Sequence, residues 1–189
     1  MIWLILGVAL WSVVHLYPSV AVSHRNQLSE KFGNGYQGAY ALLIVGSIVL
    51  MVIGWKNTIP TAVYNPPAWG RHATMLLILI AIILFGAANT KTKIREWVRH
   101  PMLTGMIVWS IGHLLANGDI RSVILFGGLG LWAIISQITI NKRESARVMP
   151  TDSKGMKSLV ILFVVSVVLY LILMFLHPYF AGVPIMTRG

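Results

Sequence analysis

Residues 158–178 read SLVILFVVSVVLYLILMFLHP, twenty-one positions without a single Asp, Glu, Lys or Arg. At a helical rise of 1.5 Å per residue the run is about 30 Å long, the thickness of a bilayer's hydrocarbon core. A water-facing helix would not be apolar on every side. This stretch is therefore read as a membrane span. Working back toward the N-terminus, the same character recurs at 121–140, 101–117, 68–89, 38–55 and 1–22. The run at 101–117 is the shortest and must start at Pro101 to reach across. Unpaired backbone groups are too costly in lipid for open strands. The expectation is an all-α polytopic membrane helix bundle with about six transmembrane helices, forming a single integral membrane domain over 1–189.

Composition agrees. Of 189 residues, 57% are hydrophobic and 11% charged, against about 25% charged in an ordinary soluble domain. The absence of cysteine excludes disulfides, thiolate nucleophiles, thioether-linked haem and iron–sulfur clusters. A net charge of +10 would suit nucleic acid, but 11 of the 15 Lys and Arg lie in the connections after spans 1, 3 and 5. That asymmetry predicts a cytoplasmic face contacting anionic membrane lipid, no nucleic acid, and both termini outside. In a bacterial inner membrane the termini are then periplasmic. The front end, MIWLILGVALW, lacks the basic region of a signal peptide and reads as a retained helix. Glu30, Glu96, Glu144 and Asp152 all fall in connections, leaving no carboxylate pair in the membrane for hydrolysis. Nor is there a broken-helix repeat to suggest a transporter.

The connections carry shorter signals. Residues 23–37 read as a surface segment, Asn65-Pro66-Pro67 as a rigid entry to span 3, and 141–157 as a basic connection. Asn117-Gly118-Asp119 reads as a tight turn, with Gly118 in the left-handed region and Asp119 capping the next helix. Spans 4 and 5 are then antiparallel neighbours. The glycines of FGGLG, 126–130, predict close helix contact rather than a phosphate loop.

Six histidines are present. His24, His100 and His177 fall at span ends and read as interfacial. His15, His72 and His113 lie within apolar stretches, where an ionisable residue points to function. From the helical rise, His113 lies roughly 16 Å and His15 roughly 10–15 Å from the cytoplasmic ends of their spans. His72 lies roughly 25 Å from its own. The first two are close to level, as a b-type haem held by two imidazoles requires, and as an interhelical hydrogen-bond pair also permits. Trp109 and Asn117 stand four residues either side of His113 and share its face. Arg71 beside His72 suits either a propionate or an interface anchor, and Asp119 is a candidate partner for Arg71 or His72.

These residues sit in recognisable strings. RHPMLTGMIVWSIGHLLANGD at 99–119 resembles the signature of the NnrU family, supported by H-x-x-P at 15–18, NPPAWGRH at 65–72 and FGGLGLWA at 126–133. The resemblance is strongest over 1–143. It implies a link to denitrification and nitrogen-oxide metabolism. It also implies a relation to 15-cis-zeta-carotene isomerase, a membrane b-haem protein that isomerises a polyene. On that basis His15 and His113 are the expected haem ligands and catalytic residues, with His72, Arg71, Trp109 and Asn117 in the cofactor pocket and a hydrophobic polyene as ligand. Two other readings stand beside it. One is a non-enzymatic sensor or assembly factor with a membrane-protein partner in a respiratory or denitrification complex. The other is an S-adenosylmethionine-dependent methyltransferase, since RHPMLTG at 99–105 also resembles the R-H-P-x-x-x-G element of such membrane enzymes. The glutamate pair of those enzymes is missing, with Glu144 standing alone.

Overall fold

The computed structural model describes residues 1–144, 146–147 and 154–182, so the middle of the basic 141–157 connection lies outside the described residues. The bundle is all helical. Its elements are α1 (Ile2–Val20), α2 (Val22–Phe32), α3 (Asn34–Asn57), α4 (Gly70–Ala88), α5 (Ile94–Trp97), α6 (Pro101–Ala116), α7 (Ile120–Ser122), α8 (Gly128–Arg143) and α9 (Met156–Ala181). A single π-helical turn, Val123–Gly127, joins α7 to α8, making one rod of 24 residues, Ile120–Arg143. Five helices are long and apolar enough to cross a membrane: α1, α3, α4, the rod and α9. The sixth, α6, has 16 residues and spans about 24 Å. Its start is set by Pro101 at the first helical position, where the missing N–H costs nothing.

The membrane helices alternate in direction, so Met1 and the end of α9 lie on one face, where Trp55 Nε1 donates to Ala181 O at 3.3 Å. We call this the terminal face, and the side carrying α2, α5 and residues 141–144 the loop face. The surface segment expected at 23–37 is largely the helix α2, polar and with no buried residue. It ends at Gly33, whose φ of +50° turns the chain into α3.

Packing rests on small residues rather than on water exclusion, as it must in lipid. A Cβ on Gly7 would meet Met51 N at 2.7 Å, and one on Gly54 would collide with the backbone of Leu4, so α1 and α3 touch at two levels. Gly128 and Gly130 set α8 against Val8 of α1 and Ser110 of α6, as the FGGLG string predicts. Leu4, Val8, Met51, Leu129, Trp132 and Ala133 form the buried core.

The turn at 117–119 departs from expectation in one respect. Among the described residues only Gly33 and Gly182 have positive φ. Gly118 is needed instead because a side chain there would strike Tyr64 O. The 58–69 connection folds over this corner: Val63 N and Tyr64 N donate to Gly118 O at 2.8 and 3.1 Å, and Ile120 N to Thr61 O at 2.8 Å. Tyr64 also donates its hydroxyl to Leu114 O and to Asn117 O at 2.9 Å. Asp119 caps α7 as expected, accepting from Ser122 N at 3.1 Å and Ser122 Oγ at 2.6 Å. It also faces Arg121 at 3.4 Å.

Candidate functional site

The gap between α4, α6 and the upper part of α9 holds a cavity of about 240 Å³. His113 projects from the last turn of α6. Its Nδ1 lies 2.9 Å from Trp109 O. A carbonyl only accepts, so Nδ1 carries the proton and Nε2 keeps its lone pair. The imidazole stacks on Phe126, with centroids 4.2 Å apart and planes 20° apart, and tilts against Trp109 at 4.5 Å. Phe126 sits on the π turn, a local departure that re-aims side chains and recurs at functional positions.

The rest of the cavity is apolar with a polar rim. Met75, Ile78 and Met174 supply the walls, and Arg71, Asn117 and His177 stand at the terminal face. Asn117 Nδ2 donates to His113 O at 2.9 Å, closing the end of α6. Thr74 Oγ1 donates to Gly112 O at 2.6 Å and ties α4 to α6 beside the histidine. A second cavity of about 690 Å³ adjoins the first, and Ile78, Trp109 and Leu173 line both.

Four of the six residues singled out from sequence, Arg71, Trp109, His113 and Asn117, therefore line one cavity. His72 is exposed and lines neither of these two cavities. His15 is placed elsewhere, in an aromatic cage. Its ring stacks on Trp11 at 4.0 Å and meets Trp132 at 5.2 Å and Tyr40 at 6.2 Å. Trp132 and Phe126 lie six residues apart on the same rod, about 9 Å of helix. The two imidazoles thus lean on different levels of the rod, His15 on Trp132 and His113 on Phe126. His177, read from sequence as interfacial, is the histidine that α9 brings to the His113 cavity.

A further signal went unread in the sequence. Residues 11–16 are WSVVHL and 109–114 are WSIGHL. In both, the imidazole Nδ1 donates to the carbonyl of the Trp four residues earlier, at 2.9 Å. The repeat marks the two helices that present histidine to the rod.

The basic cluster at the loop face is engaged in fastening. Arg99 donates to Glu144 O, His100 Nε2 pairs with Asn141 Oδ1 at 2.8 Å, and Arg147 donates to Arg95 O and Glu96 O at 3.0 and 2.6 Å. Glu144 accepts from Arg143 at 2.6 Å, and that hydrogen bond holds its carboxyl below the usual carboxylate range. Among the described residues no three His, Cys, Asp or Glu gather as a metal site. A haem iron asks for only one or two.

Comparison with known proteins gives one match. The family described as NnrU protein matches residues 3–185. No curated protein and no solved structure matches the chain. The family match runs from the first turn of α1 to beyond the end of α9, and the chain belongs to the NnrU family.

Proposed function

We propose that this membrane protein binds a b-type haem in the His113 cavity, with His113 as an iron ligand and His177 as the second imidazole. The single observation carrying the reading is that His113 and His177 line one cavity, with the His113 tautomer in support. Its Nδ1–H is spent on Trp109 O at 2.9 Å, the backbone hydrogen bond that orients metal-ligating imidazoles and leaves Nε2 for the metal. The donor set fits the group. Trp109 offers an aromatic wall, Met75 and Met174 a soft apolar lining, and Arg71 with Asn117 polar partners for carboxylates at the rim.

When bound, such a group supplies reversible one-electron chemistry and an exchangeable coordination position. The chain's own residues do the rest. Trp109 O holds His113 in one tautomer, Phe126 fixes the ring plane, and the apolar walls exclude water. The larger cavity leaves room beside the centre for an elongated apolar molecule. Its length and lining support a polyene as substrate and redox-regulated isomerisation as the activity, in line with the family resemblance. The distribution of Lys and Arg supports a cytoplasmic loop face and a periplasmic terminal face in a bacterial inner membrane.

Oxidised and dithionite-reduced absorption spectra of the detergent-purified protein, with pyridine haemochrome quantification, test this. The expected result is about one b-type haem per chain. Monodisperse, helical protein without such a signal after expression with added haem precursor would overturn it. Given the signal, chromatography of cis-polyenes incubated with reduced protein decides between isomerisation and a sensing or assembly role.

A further inference from the structure

The larger cavity is a groove open at the loop face. Ile82, Phe85 and Gly86 of α4, Trp109 of α6, and Val165 and Leu169 of α9 line it. Its lining runs along α9 from Ser158 to Leu173, about 22 Å of helix. That exceeds one leaflet's share of a hydrocarbon core about 30 Å thick. It arises because α9 packs chiefly on α4: Leu162 meets Gly86 so closely that a Cβ there would lie 2.5 Å from Leu162 Cδ1, and the space toward α6 stays open.

The loop-face mouth is basic and held in shape. Lys91 and Lys154 both line it. Lys154 N donates to Lys91 O at 2.7 Å, and Thr92 forms an isolated parallel bridge with Lys154, so the two lysines are fixed side by side. Next to them Thr92 is 1% exposed, and its hydroxyl has no hydrogen-bond partner among the described residues.

An apolar trough deeper than one leaflet and ending on two lysines matches an amphiphile with an anionic head. We propose that the groove is a specific site for an anionic phospholipid, with one acyl chain between α4, α6 and α9 and the phosphate at Lys91 and Lys154. The chain's tip reaches Trp109, one of the three residues shared with the His113 cavity, so lipid occupancy sets the packing behind that site. The assignment stands on the groove and its mouth, does not rest on haem binding, and makes the acyl chain a competitor of a polyene for the same space.

Native mass spectrometry of the purified protein with an equimolar mixture of palmitoyl-oleoyl phosphatidylglycerol and phosphatidylcholine tests it. One phosphatidylglycerol should be retained per chain in preference to phosphatidylcholine. Lys91→Gln and Lys154→Gln should each cut that preference about fivefold, the worth of one lysine at an anionic surface. Val165→Trp fills the trough and should abolish retention of both lipids. Circular dichroism and gel filtration confirm that each variant stays folded, and Leu176→Trp on the exposed side of α9 serves as the control that retains lipid. Equal retention of the two lipids, an unchanged preference in both lysine variants, or displacement of phosphatidylglycerol by glycerol 3-phosphate alone would overturn the proposal.

Discussion

Two short stretches of this protein are nearly the same sequence and have become different places. WSVVHL at 11–16 and WSIGHL at 109–114 each set an imidazole one turn above a tryptophan, with Nδ1 on its carbonyl. On α1 the histidine, half-buried, packs against Trp11 and Trp132 with Tyr40 farther off. On α6 it opens onto a cavity. The difference lies in the neighbours. The residue before the histidine is Val14 on α1, itself buried, and Gly112 on α6. A Cβ on Gly112 would come within 3.3 Å of Leu77 Cβ, so glycine lets α4 approach and shape the floor of the cavity. The π turn then supplies Phe126 to His113, whereas regular α8 supplies Trp132 to His15. Local sequence sets the tautomer; tertiary neighbours decide whether the remaining nitrogen has anything to bind.

The largest expected effect separates the two histidines. His113→Ala should remove essentially all bound haem, while His15→Ala should keep at least about half of it at equal expression. The reverse pattern in haemochrome assays would exchange the roles of cage and cavity. His177→Ala should retain haem but move the ferric spectrum from six-coordinate low-spin toward five-coordinate high-spin, so an unchanged low-spin spectrum would deny it a ligand role.

Gly112→Val makes the second hexapeptide match the first at every position but Ile111, which stands where α1 has Val13. Crowding against Leu77 and Ile78 should cost about 1–3 kcal/mol, as overpacking does, and should lower haem occupancy as α4 is pushed away. A denaturation midpoint and haem content both equal to wild type would show that the glycine does not shape the site. Trp132→Phe probes the cage. The Trp132 indole N–H is buried without a partner among the described residues, so its loss removes an unpaid donor, and the shrunken ring should cost on the order of 1 kcal/mol. A penalty several times greater would mean that the N–H holds a ligand beside His15.

The smallest effect is at the end of the rod. Arg143 depresses the Glu144 carboxyl, so this pair's contribution is present above the ordinary carboxylate value and fades as pH falls through the lower folded one. Being exposed and screened, it is slight. Glu144→Gln should lower the thermal midpoint marginally at pH 7 and by less as the pH falls below the ordinary carboxylate range. A larger loss at low pH would reverse the sign.

Much of the fold was legible because membrane spans announce themselves by length and apolarity, independent of what they pack against. The partnership of Trp109, His113 and Asn117 was legible for a similar reason, since i±4 spacing fixes one face of one helix. The place of His177 was not. Beside Pro178 at a span end it has the local look of an interface residue, and only the docking of α9 on α4 brings it inward. The 58–69 cover and the π turn were also illegible, the first because Ala62 pairs with Asp119 across 57 positions, the second because backbone register answers to packing. The level placement of His15 and His113 came from counting along separate helices, which measures distance from a helix end and says nothing of lateral position or of how α6, shorter than its neighbours, is seated.

The central claim is that the cavity holding His113 and His177 is sufficient for haem. The most direct measurement is the reduced-minus-oxidised spectrum and haem stoichiometry of a variant keeping only those two histidines, with His15, His24, His72 and His100 all replaced. Near-wild-type stoichiometry and a low-spin b-type spectrum are predicted. A monodisperse, helical variant without haem, beside a wild type that carries it, would contradict the account and return the ligand to one of the four histidines removed.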